Sequence, residues 1–114
     1  MANDFYCDEV LSGKTPVDKI LETGNVLAFR HTRPFWETHI VVIPKVHVGS
    51  LLSLNDTALL VEIIDVVKKV AATVVNECGA ARVLTNLGEY QESKHLHFHV
   101  NSGKQIRQDG DRSS

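Results

Sequence analysis

The sequence predicts an α+β fold: an antiparallel sheet of about five strands, one long helix and a short N-terminal helix or turn. Three observations lead there. Apolar residues recur every three or four positions from Leu59 to Cys78. Several short β-type runs lie on either side of that stretch. One of them, His95-Leu96-His97-Phe98-His99-Val100-Asn101, alternates strictly between histidine and apolar residues.

Each element has its own signal. Lys19 to Glu22 and Val26 to Arg30 flank Thr23-Gly24-Asn25, which reads as a β-hairpin. Arg33-Pro34 interrupts the second strand. His39 to Ile43 is a nearly continuous apolar run closed by Pro44, as expected for a central strand covered on both faces. Asn55 or Asp56 can cap the helix that follows. Leu59, Ile63, Val66, Val70 and Val74 form its stripe, and Gly79 suits its end. Ala81 to Asn86 and His95 to Asn101 read as strands joined by the loop Gly88 to Lys94. The polar stretch from Lys104 onward reads as a frayed tail. The chain is expected to be a single domain over 1–105, with 106–114 disordered.

The 114 residues suit one compact unit, and 43% hydrophobic with 23% charged residues is near the globular norm. A net charge of −2 gives no reason to expect nucleic-acid or membrane binding. Two cysteines make no disulfide framework and suit a reducing cytoplasm. The first nine residues carry acids and no long apolar run, so neither a signal peptide nor a membrane span is expected. Gly13-Lys14-Thr15 resembles the end of a P-loop, but Asp8 occupies the position of the required glycine.

The histidine run holds half of the six histidines in the chain. Side chains two apart share a strand face about 6.6 Å from each other, so three imidazoles can converge on one small anion. A solvated cluster is disfavoured, because histidine is a poor strand former and like charges repel. Spacing alone leaves open a metal site, a non-catalytic nucleotide-binding surface, and nucleophilic phosphoryl or nucleotidyl transfer.

These residues resemble the histidine-triad signature, His-φ-His-φ-His-φ-φ with φ apolar, except that Asn101 takes the last φ. Asn25 to Lys45, with His-Ile-Val-Val and Ile-Pro-Lys in order, is similar to the first half of that family. His47 follows Pro-Lys, Asn86-Leu87-Gly88 resembles an Asn-x-Gly before the triad, and Gln91 resembles a glutamine found there. The resemblance implies a HIT-like fold and a two-fold dimer. It implies a hydrolase or transferase acting on purine nucleoside phosphoramidates or dinucleoside polyphosphates, with no cofactor required. His97 would attack the α-phosphorus to form a nucleotidyl-histidine, and His99 would stabilise the phosphate oxygens. His95 would orient His97, with His47 as its neighbour. Asn86, Gln91, Ser93, Phe29 and His31 are the nucleotide-binding candidates.

The departures matter too. His31 stands where many relatives carry an aspartate for the ribose hydroxyls, and Glu92 stands where a serine or threonine serves the leaving group. Some bacterial relatives hold structural zinc through an N-terminal Cys-x-x-Cys. Here the pair is Asp4 and Cys7, which with His47 and His95 leaves a zinc site as an option. A weakly catalytic nucleotide-binding regulator and a zinc protein using the histidine strand are the alternatives to the enzyme.

Overall fold

The computed structural model describes Tyr6 and residues 10–106. Asp4, Cys7 and the tail 107–114 lie outside the described residues; of the short N-terminal helix or turn, the Leu11 N–H donates to Tyr6 O at 2.7 Å and the Gly13 N–H to Val10 O at 3.2 Å. Five strands, β1 (Lys19–Glu22), β2 (Val26–Arg30), β3 (Trp36–Pro44), β4 (Arg82–Leu84) and β5 (Phe98–Gln105), form one sheet in the order β1-β2-β3-β5-β4. Every neighbouring pair is antiparallel. The helix α1 (Thr57–Cys78) connects β3 to β4. Among the described residues no helix is long and apolar enough to cross a membrane.

The helix forms where its periodicity and caps require. Asp56 Oδ1 accepts the Leu59 N–H at 3.1 Å, satisfying one of the donors a helix start leaves open. Gly79, at φ 88°, closes the other end, and its N–H reaches Val75 O at 2.8 Å. The stripe Leu59, Ile63, Val66, Val67, Val70 and Val74 is buried. It packs on one sheet face, against Ala28, Ile40, Val42, Phe98 and Val100. Each such side chain contributes about 1.5–3 kcal/mol on leaving water.

Alternation sends the intervening residues to the opposite face. Leu27, Phe29, Val41 and Ile43 pack there with Tyr6 and Val10. Residues 40 to 43 are all buried, as their continuous apolar run implies. His31, His39, His97 and His99 belong to this second face by the same parity.

Several boundaries differ from the sequence reading. β3 starts at Trp36 rather than His39, because the sheet extends to pair Trp36 with Gln105. β5 starts at Phe98 rather than His95, since the Leu96 N–H donates to Val48 O at 2.6 Å, in the segment after β3. Lys104 and Gln105 are strand rather than tail: Glu37 Oε1 accepts the Lys104 N–H at 2.9 Å. Gly103 permits this closure. Its φ is 86°, and a Cβ there would collide with the Glu37 carboxylate. β4 is also shorter than expected, ending at Leu84.

Candidate active site

The three triad histidines are at most 5% exposed, so each must be hydrogen-bonded or neutral in place. His95 Nε2–H donates to the Pro44 carbonyl at 2.8 Å, fixing the first imidazole against the end of β3. His97 Nδ1–H donates to the His95 carbonyl at 2.7 Å. A neutral imidazole with its proton on Nδ1 carries the lone pair on Nε2. The backbone therefore selects the tautomer of His97 whose lone pair is on Nε2. Tyr6 covers this side of the site, with ring centroids 5.8 Å from His95 and 5.1 Å from His97.

His99 is set from the neighbouring strand. His39 on β3 lies diagonal to it in the ladder, Val41 being its direct partner. The Phe35 N–H donates to His39 Nδ1 at 3.0 Å, so that nitrogen is an acceptor. Burial, then the nearby His31 and His97, push His39 down to about 3. Burial, then His97 and His39, push His99 down to about 3 as well. Both rings are neutral near pH 7. His39 must then carry its proton on Nε2 and donate it to His99 Nδ1, 2.9 Å away. That leaves the His99 proton on Nε2, a buried donor with no hydrogen-bond partner among the described residues. A phosphate oxygen is the acceptor such a donor suits. With the rings of His97 and His99 4.9 Å apart, a lone pair and a donor stand side by side.

His99 also borders a half-open cavity of about 140 Å³. Asn86, Asn101 and Gln105 supply amide groups to it, and Phe35, Trp36 and Tyr90 supply aromatic walls. Arg82 braces that wall: its guanidinium lies 4.5 Å over the Trp36 ring and donates to Asn101 Oδ1 at 2.9 Å.

The other sequence candidates are placed as follows. His47 stands edge-on to His95 at 5.4 Å. His31 stacks on His39 at 4.4 Å, and its Nδ1 accepts the Arg33 N–H at 3.0 Å. Phe29 is buried in the second core cluster, edge-to-face with Tyr6. Gln91 is held within its loop by its amide nitrogen. Its Nε2 donates to Gly49 O at 2.6 Å and Ser93 O at 2.9 Å, so the amide nitrogen locks the loop to the segment after β3. Ser93 Oγ is buried with no partner among the described residues. Sequence reasoning passed over His39, whose apolar neighbours hid its parity with Val41, and Arg82, whose contacts are all to residues distant in sequence.

For zinc, the described residues offer His47 and His95; the Nε2–H bond to Pro44 makes Nδ1 the nitrogen of His95 that could ligate. Among the described residues no group of three or more His, Cys, Asp or Glu side chains is arranged to hold a metal. Asp4 and Cys7 lie outside them.

A two-faced sheet that presents buried imidazoles of fixed tautomer beside an open cleft is an arrangement suited to small anionic groups. The chain belongs to the HIT family, whose HIT domain model matches residues 12–106. It is 39% identical over 106 residues to a 13.2 kDa HIT-like protein of Azospirillum brasilense, covering 85% of this chain and 84% of that one. It is 31% identical over 107 residues to an adenosine 5'-monophosphoramidase of Candida albicans, covering 87% and 69%. Among solved structures, a HIT family hydrolase from Legionella pneumophila superposes with a TM-score of 0.77 at 32% identity, over 94% of this chain and 98% of that one. A histidine triad protein from Clostridium difficile gives 0.75 at 32%, over 95% and 98%.

Proposed function

We propose that this protein is a nucleotide hydrolase or transferase. It cleaves the α-phosphorus linkage of purine nucleoside phosphoramidates or dinucleoside polyphosphates through a nucleotidyl intermediate on His97. The observation that carries this reading is the 2.7 Å bond from His97 Nδ1–H to the His95 carbonyl, which puts the lone pair on Nε2, the nitrogen that would attack. In the first step Nε2 forms a bond to phosphorus and the leaving group departs with its bonding pair. In the second, water attacks the same phosphorus, releases the nucleoside monophosphate and returns His97 to its starting state. His99 Nε2–H stabilises the phosphate oxygen in both steps, and Asn86 faces the same cavity. The monophosphoramidase names of relatives from Candida albicans and Schizosaccharomyces pombe support this substrate class. Release of AMP from adenosine phosphoramidate and from diadenosine polyphosphates tests it. Tight nucleotide binding with no turnover of either would instead make the protein a nucleotide-binding regulator.

We further propose that it acts as a homodimer. β4 is an edge strand whose Arg82, Val83 and Leu84 are all exposed, and Ile64 and Val75 of α1 are exposed apolar residues as well. An uncovered apolar edge of this kind is a template for pairing with a second copy. Sedimentation across a concentration range tests this, with Val83→Lys expected to shift the protein toward monomer.

A further inference from the structure

His97 stands where the strand ladder ends. On the β3 side the ladder reaches Phe98, paired with Val42, and on the β4 side it reaches His99, paired with Leu84. One residue earlier, other segments hold the chain. The peptide joining His95 to Leu96 is pinned at both of its polar groups. Its N–H donates to Val48 O at 2.6 Å, and its carbonyl accepts His97 Nδ1–H at 2.7 Å. Hydrogen bonds in such a chain polarise one another, which strengthens the bond that sets the His97 tautomer. The peptide on the other side of His97 has a separate support. Its carbonyl accepts the Thr85 hydroxyl at 2.7 Å.

Thr85 is the first residue after β4. Regular pairing has ended there, and a side-chain hydroxyl reaches the chain before β5 in place of a backbone donor. Branching at Cβ restricts the threonine rotamer, so the hydroxyl is held toward its acceptor. His97 is only 2% exposed, and water is a poor substitute donor for its carbonyl. Deprived of the hydroxyl, that carbonyl would turn toward another donor, and its peptide plane would rotate with it. The Cα that borders this peptide also carries the imidazole. Rotation would therefore swing Nε2 off the line of attack on phosphorus. We infer that Thr85 is a positioning residue for the nucleophile: its hydroxyl fixes the peptide plane from which the His97 imidazole projects. This role rests on the reaction proposed at His97 and adds no step to it. Small displacements of a reacting atom lower the rate of the chemical step far more than they weaken binding.

The test uses the full-length protein in single turnover, with adenosine phosphoramidate or a diadenosine polyphosphate, whichever it cleaves faster. Enzyme in excess makes the rate that of the chemical step rather than of product release. Thr85→Val removes the hydroxyl and keeps the side-chain shape, Thr85→Ala removes it without adding a methyl group, and Thr85→Ser keeps it. Circular dichroism checks the folding of each. The two hydroxyl-free variants are expected to lose about tenfold in single-turnover rate, with AMP affinity within about twofold of wild type and Thr85→Ser within about threefold in rate. A merely structural contact would lower their Tm and leave the rate per folded molecule unchanged. A hydroxyl-free variant with the wild-type rate, or a Thr85→Ser variant as slow as Thr85→Ala, would overturn the inference and leave the reaction at His97 standing. So would a loss confined to AMP affinity, which displacement of the neighbouring Asn86 in the cavity would give. A wild-type protein that cleaves neither substrate would overturn both.

Discussion

Mild acid should destabilise this protein before its carboxylates titrate. His39 and His99 are each held at about 3, chiefly by burial. An unfolded chain returns both to about 6.5. Between those values the unfolded state binds protons that the folded state refuses. Stability is therefore whole above roughly pH 7 and falls as pH drops toward 3. At about pH 5.5 each histidine costs about 1.4 kcal/mol, or about 3 kcal/mol for the pair. That is a large part of the 5–15 kcal/mol typical of a domain. Urea denaturation followed by circular dichroism, at about pH 7.5 and about pH 5.5, measures the loss as a lower midpoint at constant slope. The carboxyls of Glu22 and Glu62 are lowered from 4.5 and stay ionised across this window. His39→Gln removes one of the two titrating groups, so its loss over the same interval should be about half that of the wild type. A midpoint that does not move between the two pH values, or a His39→Gln loss equal to the wild-type loss, would refute the neutral-imidazole account of the site.

Other outcomes follow from the same geometry. His97→Ala should fold, by circular dichroism, and lose about 10³-fold or more in kcat, because it removes a covalent nucleophile rather than a binding contact. Gln91→Ala should lower stability by about 1–3 kcal/mol, since it deletes two hydrogen bonds from a buried amide, and should leave the ratio of activities on phosphoramidate and polyphosphate unchanged. A changed ratio would return Gln91 to the substrate. Activity should survive EDTA, since the histidines and their backbone partners supply the electrostatics of the reaction. Loss on chelation, restored by zinc with no change in Tm, would identify a metalloenzyme.

The helix, the hairpin and the histidine row were legible because each is a local pattern with a local cause: a period of 3.6, a Gly-Asn turn, strict alternation. What escaped depends on partners far along the chain. His95 lies outside the ladder because Leu96 pairs with Val48, and no feature of the run itself discloses that bond. Lys104 and Gln105 look like tail by composition, and become strand because Trp36 and Glu37 offer them a ladder and an acceptor. Gln91, a nucleotide-binding candidate by family position, also donates its amide nitrogen to the carbonyl of Gly49, a bond across the chain that the sequence does not disclose. His39 reads as one more member of an apolar run until the register sets it diagonal to His99. The histidine row was thus readable from the sequence, while the network that fixes the tautomer of His99 was not.

The central claim is a covalent bond between His97 and the α-phosphorus. It is tested most directly by rapid acid-free quenching of the wild-type protein with adenosine phosphoramidate, followed by mass spectrometry of the intact protein and its peptides. The account predicts an adenylyl adduct on the peptide containing His97 that appears and decays within the turnover time, and its absence in His97→Ala. Steady AMP release with no such adduct, or an adduct that persists in His97→Ala, would contradict it.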